Sequence, residues 1–178
     1  MPADTRSHPT VPKIELALLS ASVLEALNAG SIDRASAEFG RPLPSSFLDH
    51  ESLWGYRIAQ VREDPGVLRW LVRAVIDAES QDIVGHAGFH GPPDQTGMVE
   101  IGYTIEPAFR RRGYARATVA ALIEYASNEP AVTRVRASVS PDNVASLATI
   151  RPFGFVHAGE QMDEIDGLEL IFERSVAE

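Results

Sequence analysis

Apolar positions along the chain repeat with two different periods, and their order predicts a mixed domain of helices and strands. A short apolar run at 14–19 predicts a first strand. The pattern over 20–39 predicts two short helices that separate at Gly30, and 46–63 predicts a third, longer helix. The chain is therefore expected to begin with one strand followed by a helical portion.

Strand-like alternation follows at 68–77 and 83–90, and the polar residues between them predict an antiparallel hairpin. Residues 98–105 alternate again and lead into an amphipathic helix at 115–126 and a further strand at 132–139. A strand, a helix and a strand in this order form a right-handed crossover. We therefore expect the strands at 98–105 and 132–139 to run parallel.

The last part of the chain predicts a helix that begins at Ser140 or Asp142 and ends before Pro152. A strand follows this helix. The dipeptide Asp166-Gly167 then predicts a hairpin turn before a final strand at 168–172.

No internal repeat or change of composition divides the chain, so we expect a flexible tail at 1–12 and a single domain at 13–178. No apolar run approaches the roughly 20 residues of a membrane span. The formal net charge of −9 disfavours a nucleic-acid surface. Cysteine is absent, which excludes disulfides and a cysteine nucleophile and is consistent with a cytoplasmic protein.

The turn between the strand at 98–105 and its helix contains three arginines and closes at Gly113. A helix N-terminus leaves backbone N–H groups unpaired and carries partial positive charge. Gly113 allows a positive φ, so the N–H groups of Arg111 to Ala115 can converge on an anion, and the guanidinium groups add forked donors. The pattern predicts a binding site for a pyrophosphate.

Three ionisable side chains are candidates for chemistry or for a metal. Alternation in the strand at 98–105 turns Glu100 away from the core face, so Glu100 is either exposed or a general base in a cleft. His86 and His90 share one face of their strand, but at about 3.3 Å per residue their backbones are on the order of 13 Å apart. One metal ion does not reach both, and we expect no metal site.

Two motifs resemble the signatures of the GCN5-related N-acetyltransferases (GNAT). Arg110-Arg111-Arg112-Gly113-Tyr114-Ala115 matches the cofactor-binding pattern Arg/Gln-x-x-Gly-x-Gly/Ala in full. Asn143-Val-Ala-Ser146, followed by Gly154-Phe155, is similar to the second signature, Asn-x-x-Ser with a downstream Gly-Phe. The resemblance spans 68–172 and is strongest to the RimJ/RimL-like branch, which acetylates the N-termini of ribosomal proteins.

The resemblance implies an α+β fold of the GNAT type: a central mixed, mostly antiparallel β-sheet with a splayed parallel pair of strands, flanked by helices. Acetyl-CoA would lie in the opening as cosubstrate. The resemblance assigns three groups of cofactor contacts: the backbone of Tyr103, Thr104 and Ile105 for the pantetheine arm, Arg110–Ala115 for the pyrophosphate, and Asn143 and Ser146 for the far wall.

The implied reaction is direct transfer in a ternary complex. Glu100, or a water that it orients, takes a proton from an amine that then attacks the thioester; anchoring of the substrate ammonium is the alternative role of Glu100. Many relatives protonate the leaving thiolate with a tyrosine at the position of Ile150, which cannot donate. Ser146 is the candidate in its place, with Tyr103 and Tyr114 as fallback donors.

The residues leave the acceptor amine open between a protein N-terminus and a small molecule. Trp54 and Tyr56 are candidates for the acceptor pocket, with ordinary core packing as the alternative, and His86 and His90 are further candidates. The alternative function is a catalytically inactive acyl-CoA-binding sensor of the same fold. No nucleic-acid or membrane partner is expected, and the protein is expected to be a monomer or a homodimer.

Overall fold

The computed structural model describes residues 11–163 and 167–176. The strands are β1 Ile14–Leu18, β2 Arg73–Asp77, β3 Ile83–Phe89, β4 Met98–Ile105, β5 Arg134–Val139, β6 Val156–Asp163 and β7 Gly167–Ser175. The helices are α1 Ala21–Asn28, α2 Ile32–Phe39, α3 Glu51–Glu63, α4 Tyr114–Ser127 and α5 Val144–Ile150. Across the described ranges, no helix combines the length and the apolar character needed to cross a membrane.

The strands form one sheet in the order β1-β2-β3-β4-β5-β7-β6. All neighbouring strands pair antiparallel except β4 and β5, which run parallel as the crossover predicts. The β4–β5 ladder ends at Glu100 opposite Arg136. Beyond that point the two strands separate, and the sheet splays open between 101–105 and 137–139.

Each face of the sheet packs against its own helices. On one face, α1, α2 and α3 enclose an apolar cluster that includes Phe47 and Trp54. On the other face, α4 and α5 cover a cluster that includes Phe89 and Leu122. Successive side chains of β4 point to opposite faces, so Val99 packs under α4 whereas Glu100 faces α3.

The strand predicted at 68–77 begins only at Arg73. Pro65–Trp70 form a 3₁₀ helix instead, because Pro65 fits the first turn and the Asp64 carboxylate accepts the Gly66 N–H at 2.8 Å. The apolar residues of this short helix are buried without joining the sheet, which is why their pattern resembled a strand.

The helix predicted at 46–63 is divided, since Ser45–His50 form a 3₁₀ helix and α3 begins at Glu51. The cap of α5 is Asn143 and not Ser140 or Asp142. Asn143 Oδ1 accepts the Ser146 N–H at 3.1 Å, the usual bond of a capping side chain to the third residue after it.

Two expectations fall partly outside the described residues. Of the predicted tail at 1–12, only Val11 and Pro12 are described. Of the predicted turn at Asp166-Gly167, only Gly167 is described; it has a φ of +77° and begins β7. β6 and β7 pair antiparallel, with Asp163 opposite Gly167.

Candidate active site

The opening between β4 and β5 contains a cavity of about 430 Å³. Ile101 and Tyr103 of β4 line one side, and residues 137–140 line the other. His90 N–H donates to the Glu100 carbonyl at 2.8 Å, so the even-numbered residues of β4 pair with β3. The N–H and C=O groups of Ile101 and Tyr103 therefore face the opening.

The other two β4 residues assigned to the pantetheine arm are placed differently. Thr104 directs its backbone toward β3, opposite His86, and its side chain lies on the α3 face. The Ile105 carbonyl accepts the Arg110 Nε–H at 2.9 Å, which ties the arginine turn to the end of β4. Of this group, Tyr103 is the residue that lines the opening.

The arginine turn has the backbone of an anion site. Arg111 has a φ of +62° and Gly113 a φ of +89°, the left-handed conformation that glycine adopts without steric cost. The backbone N–H groups of residues 111–116 have no acceptor within the part of the chain that the structure describes. The side chains of Arg110 to Arg112 are exposed around them. Such converging donors at a helix N-terminus bind anions.

Tyr114 belongs to this turn through its backbone, whereas its side chain is buried away from solvent. Its hydroxyl donates to Asp77 Oδ2 at 2.7 Å, at the end of β2. Hydrogen bonds from the Ser80 N–H and from the Tyr114 hydroxyl lower the pKa of Asp77. The hydrogen bond between Tyr114 and Asp77 also raises the pKa of Tyr114. Ala115 continues the helix and packs against the core cluster. The Tyr114 side chain thus anchors the start of α4.

The far wall of the opening comes from α5. Asn143, Ser146 and Ile150 line it. The Asn143 side-chain oxygen is occupied by the capping bond to Ser146 N–H, so the Asn143 amide group and the Ser146 hydroxyl are the polar groups that remain for a ligand. The structure thus brings both predicted α5 residues to the opening.

Glu100 lies beside His90. Its Oε1 is 3.6 Å from His90 Nδ1, while Arg136, its register partner on β5, binds Glu173 instead. Partial desolvation lowers the pKa of His90, whose side chain is 50% exposed, and the charge of Glu100 opposes this shift. Within the described residues, no group of three or more His, Asp or Glu side chains comes together to hold a metal.

A second cavity of about 180 Å³ lies between α3, β3 and β4. It shares His90, Gly102 and Tyr103 with the opening, so the two cavities meet at these residues. His86 lines its inner end, and burial lowers the pKa of His86 to about 3. The structure therefore brings both histidines to one cavity, with His86 as a neutral side chain.

The two aromatic candidates on α3 are separated by the helix. Trp54 is fully buried behind His86, with ring centroids 5.2 Å apart, and its indole N–H donates to the Phe47 carbonyl. Tyr56 is 60% exposed and reaches the cavity only through Arg57, whose guanidinium carbon is 5.2 Å from its ring. Trp54 supports the cavity wall, and Tyr56 lies on the surface beside it.

Arg57 is the cavity residue that the sequence reasoning missed. It is only 6% exposed, and its Nη1 donates to Gln60 Oε1 at 2.9 Å and to the His90 carbonyl at 2.8 Å. A signal was present, since Trp54, Arg57, Ile58 and Val61 form the buried stripe of α3. An arginine on an apolar stripe indicates a buried cation.

Sequence comparisons find similarity to acetyltransferases. The family model described as acetyltransferase (GNAT) domain matches residues 20–156. The curated protein named uncharacterized N-acetyltransferase YjdG, from Bacillus subtilis (strain 168), is 35% identical over 82 residues, which are 46% of this chain and 49% of that protein. The chain spans about half the length of the curated relatives it matches.

Solved structures share the architecture at low sequence identity. The ribosomal-protein-S5-alanine acetyltransferase from Vibrio fischeri superposes with a TM-score of 0.64 at 16% identity, covering 93% of this chain and 94% of that chain. The microcin C7 self-immunity acetyltransferase MccE, solved with acetyl-CoA and AMP, gives 0.62 at 19% identity, covering 92% of each chain. At these identities the likeness concerns the fold alone.

Proposed function

The chain belongs to the acetyltransferase (GNAT) family, and from this premise we propose that it is an acetyl-CoA-dependent N-acetyltransferase that acts on a primary amine. Family membership confirms the resemblance carried by the two motifs, and the solved neighbours confirm the GNAT-type fold. One observation carries the proposal: the opening in the sheet meets a second cavity at His90, Gly102 and Tyr103, and the strand that lines the opening leads into a turn whose N–H groups have no acceptor among the described residues.

Acetyl-CoA fits the opening in its chemistry. Its pyrophosphate would accept hydrogen bonds from the N–H groups of residues 111–116, with Arg110 to Arg112 supplying positive charge. The pantetheine arm carries amide groups, and the backbone of Ile101 and Tyr103 offers matching donors and acceptors along the open edge of β4. Asn143 and Ser146 would face the arm from α5.

The acceptor amine would enter through the second cavity and meet the thioester where the two cavities join. Its ammonium group would lose a proton to Glu100, directly or through the imidazole of His90, which lies 3.6 Å from that carboxylate. The nitrogen lone pair then attacks the thioester carbonyl carbon. The nitrogen of the tetrahedral adduct loses its second proton as the adduct collapses to the amide. Collapse breaks the carbon–sulfur bond and releases the CoA thiolate, which takes up a proton.

Ser146 is the candidate donor of that last proton, because its hydroxyl lies on the wall of the opening and Ile150 cannot donate. A thiolate is a good leaving group, so a weak acid suffices here. The absence of cysteine agrees with direct transfer without a thioester-linked enzyme intermediate. The role of Glu100 as anchor for the ammonium group remains the alternative to its role as base.

Calorimetric titration with acetyl-CoA tests the cofactor site. Gly113→Glu puts a carboxylate at the turn, and we expect the affinity to fall by about a hundredfold or more, because charge-assisted hydrogen bonds are replaced by repulsion. Gly40→Glu is the matched control, since Gly40 has a φ of +83°, close to the +89° of Gly113, and lies at the end of α2. It should bind acetyl-CoA like the wild type.

A second control separates charge from shape. A Cβ at Gly113 would lie 3.0 Å from Pro12 Cδ, so Gly113→Ala reports the cost of that contact without the charge. Unchanged affinity in Gly113→Glu, or an equal loss in Gly40→Glu, would contradict the position of the pyrophosphate. A wild-type protein that binds no acetyl-CoA would end the activity proposal, and tight binding without turnover of any amine would favour the sensor.

A further inference from the structure

Arg57 is a buried cation with no carboxylate at ion-pair distance among the described residues, and the charge of Glu100 acts on it only from farther away. Other arginines of the described chain, Arg62, Arg69, Arg134 and Arg136, each pair with a glutamate. Arg57 donates only through Nη1, to neutral oxygens of Gln60 and His90. Removing a guanidinium from water without a counter-ion is costly, and burial lowers the pKa of Arg57 accordingly. A group that persists at such a cost is commonly completed by a ligand.

The free edge of Arg57 has the shape of a carboxylate site. Its Nε is buried and has no hydrogen-bond partner, and Nη2 has none within residues 11–163 and 167–176. The Nε–H and Nη2–H bonds are parallel and lie in one plane, and this spacing matches the two oxygens of a carboxylate. The guanidinium is therefore held by one nitrogen and presents its bidentate edge unpaired.

Arg73 shows what a satisfied buried arginine looks like in the same molecule. It is also 6% exposed, yet its guanidinium donates to the backbone carbonyls of Arg69, Trp70 and Leu71. Both of its terminal nitrogens are occupied in this way. The contrast indicates that Arg57 is not an ordinary structural arginine.

Two other buried polar atoms in the described chain lack partners, His86 Nε2 and the Tyr103 hydroxyl. His86 lines the same cavity as Arg57, whereas the Tyr103 side chain packs against the cluster on the α4 face of the sheet. The remaining walls include the apolar residues Leu53 and Val72. A few unpaired polar groups in an apolar cavity are the usual composition of a small-molecule site.

The charges around His90 match an amine that also carries a carboxylate. The backbone carbonyl of His90 accepts a hydrogen bond from Arg57 Nη1 at 2.8 Å. The ring nitrogen Nδ1 of His90 lies 3.6 Å from Glu100 Oε1. A cation and an anion are thus held on the two sides of one residue. The volume of about 180 Å³ equals about six waters at roughly 30 Å³ each, which suits a compact molecule.

We propose that this cavity is the acceptor site and that it selects a small amine bearing a carboxylate, as in a free amino acid with an apolar side chain. The carboxylate binds the Nε–Nη2 edge of Arg57, and the amino group faces Glu100 at the junction with the opening. This inference rests on the proposed acetyl transfer. A polyamine brings only positive charge to Arg57, and a peptide N-terminus replaces the carboxylate by a neutral amide.

The test compares amines that differ only in the carboxylate. Leucine, isopentylamine and leucinamide form one set, phenylalanine, phenylethylamine and phenylalaninamide a second, and all twenty amino acids, spermidine and a tetrapeptide complete the panel. CoA release at saturating acetyl-CoA gives kcat/KM for each. We expect the preferred amino acid to exceed its amine and its amide by about 10- to 100-fold, the range for one lost charged hydrogen bond.

Substitutions at Arg57 test whether this residue is the source of the preference for a carboxylate. Arg57→Gln should lower kcat/KM for the amino acid by about 10- to 100-fold more than for the decarboxylated amine, so that the preference for the carboxylate largely disappears. Arg57→Lys keeps the charge without the planar fork and should retain part of the preference. Arg73→Gln removes the other buried guanidinium and should leave the preference intact. The ratio within one protein is insensitive to a general loss of stability.

The outcomes separate this inference from the proposed function. Acetyl-CoA binding with equal or better turnover of amines, amides or spermidine would overturn the carboxylate site and leave acetyl transfer standing. Acetyl-CoA binding without turnover of any carboxylate-bearing amine would also overturn it. Failure to bind acetyl-CoA at all would remove the proposed function, and the acceptor assignment would fall with it.

Discussion

The proposed cofactor end and the proposed acceptor end of the site are built in different ways. The cofactor end consists of consecutive residues, 110–115, and presents backbone N–H groups. The acceptor end gathers side chains from α3, β3 and β4, which are distant in the sequence. The first depends on the conformation of one turn and the second on the packing of the whole α3 face. Binding of the cofactor and selection of the acceptor should therefore respond to different substitutions.

The strongest way to separate the two ends is to change the chemistry at their junction. Glu100→Gln keeps the shape of the side chain but removes the carboxylate, and we expect kcat to fall by about 100- to 10,000-fold. Acetyl-CoA affinity measured by calorimetry should not change. Glu124→Gln, at an exposed position of α4, controls for the loss of one charge. A parallel loss of acetyl-CoA affinity would show that the two ends are coupled.

Removing a large buried side chain should damage the acceptor end selectively. Trp54→Ala and Trp70→Ala each delete a buried indole, and each should lower the free energy of unfolding by about 3–5 kcal/mol in chemical denaturation. Trp54 contacts His86, whereas Trp70 belongs to the cluster under α4. We expect only Trp54→Ala to raise the KM of the acceptor amine. An equal rise in both variants would contradict the separate roles of the two faces.

The buried histidine of the acceptor end predicts a dependence of stability on pH. Burial lowers the pKa of His86 to about 3, from about 6.5 in an unfolded chain, so between these values the unfolded state binds the proton more tightly. Its contribution to stability is complete above pH 6.5 and is lost as the pH falls toward 3. At pH 5 the loss is about 2 kcal/mol.

Urea denaturation of the wild type and of His86→Gln at pH 5 and pH 8 measures the contribution of His86 to the pH dependence of the free energy of unfolding. The difference between the two pH values should be smaller in the variant by about the same 2 kcal/mol. Identical pH dependence in both proteins would mean that His86 is not buried as a neutral imidazole. The cofactor end contains no buried histidine among its described residues, so acetyl-CoA affinity should not follow this profile.

The smallest expected effect concerns the anchor of the cofactor end. Tyr114→Phe removes the hydrogen bond to Asp77 Oδ2 but keeps the ring in place. We expect Tm to fall by about 2–4 °C, as for the loss of one hydrogen bond in a domain of this size. Acetyl-CoA affinity should stay close to that of the wild type, because the turn binds through its backbone. A large loss of affinity would show that the Tyr114 side chain sets the shape of the turn.

The same contrast explains what could be predicted from the sequence. The turn at 110–115 was predictable because strand, glycine and helix are local signals, and the parallel pair β4–β5 followed from the crossover rule. The predicted start of β2 was wrong because the apolar residues of Pro65–Trp70 give the same sequence pattern in a buried 3₁₀ helix as in a strand. The cap of α5 was wrong because several adjacent polar residues were able to fill that role.

The acceptor cavity was less predictable because its contacts join distant parts of the chain. Arg57 contacts the His90 carbonyl, 33 residues further along, and no local pattern encodes that bond. Helical periodicity alone separates buried Trp54 from exposed Tyr56, since the stripe 54, 57, 58 and 61 excludes position 56. The periodicity also marks Arg57, although only the structure shows which of its nitrogens stay unpaired.

Because the pairing of β4 with β5 stops at Glu100, the sheet has an unpaired edge in its interior as well as the edges of its two outer strands. Outer strands such as β6 expose unpaired backbone groups to which another chain can add, a recognised hazard for aggregation. The edge along Ile101 and Tyr103 lies between two strands and beside α5, inside the cavity. Only a slender, extended molecule with its own amide groups can complete it. The protein can thus keep a sheet edge open for pairing without inviting its own association.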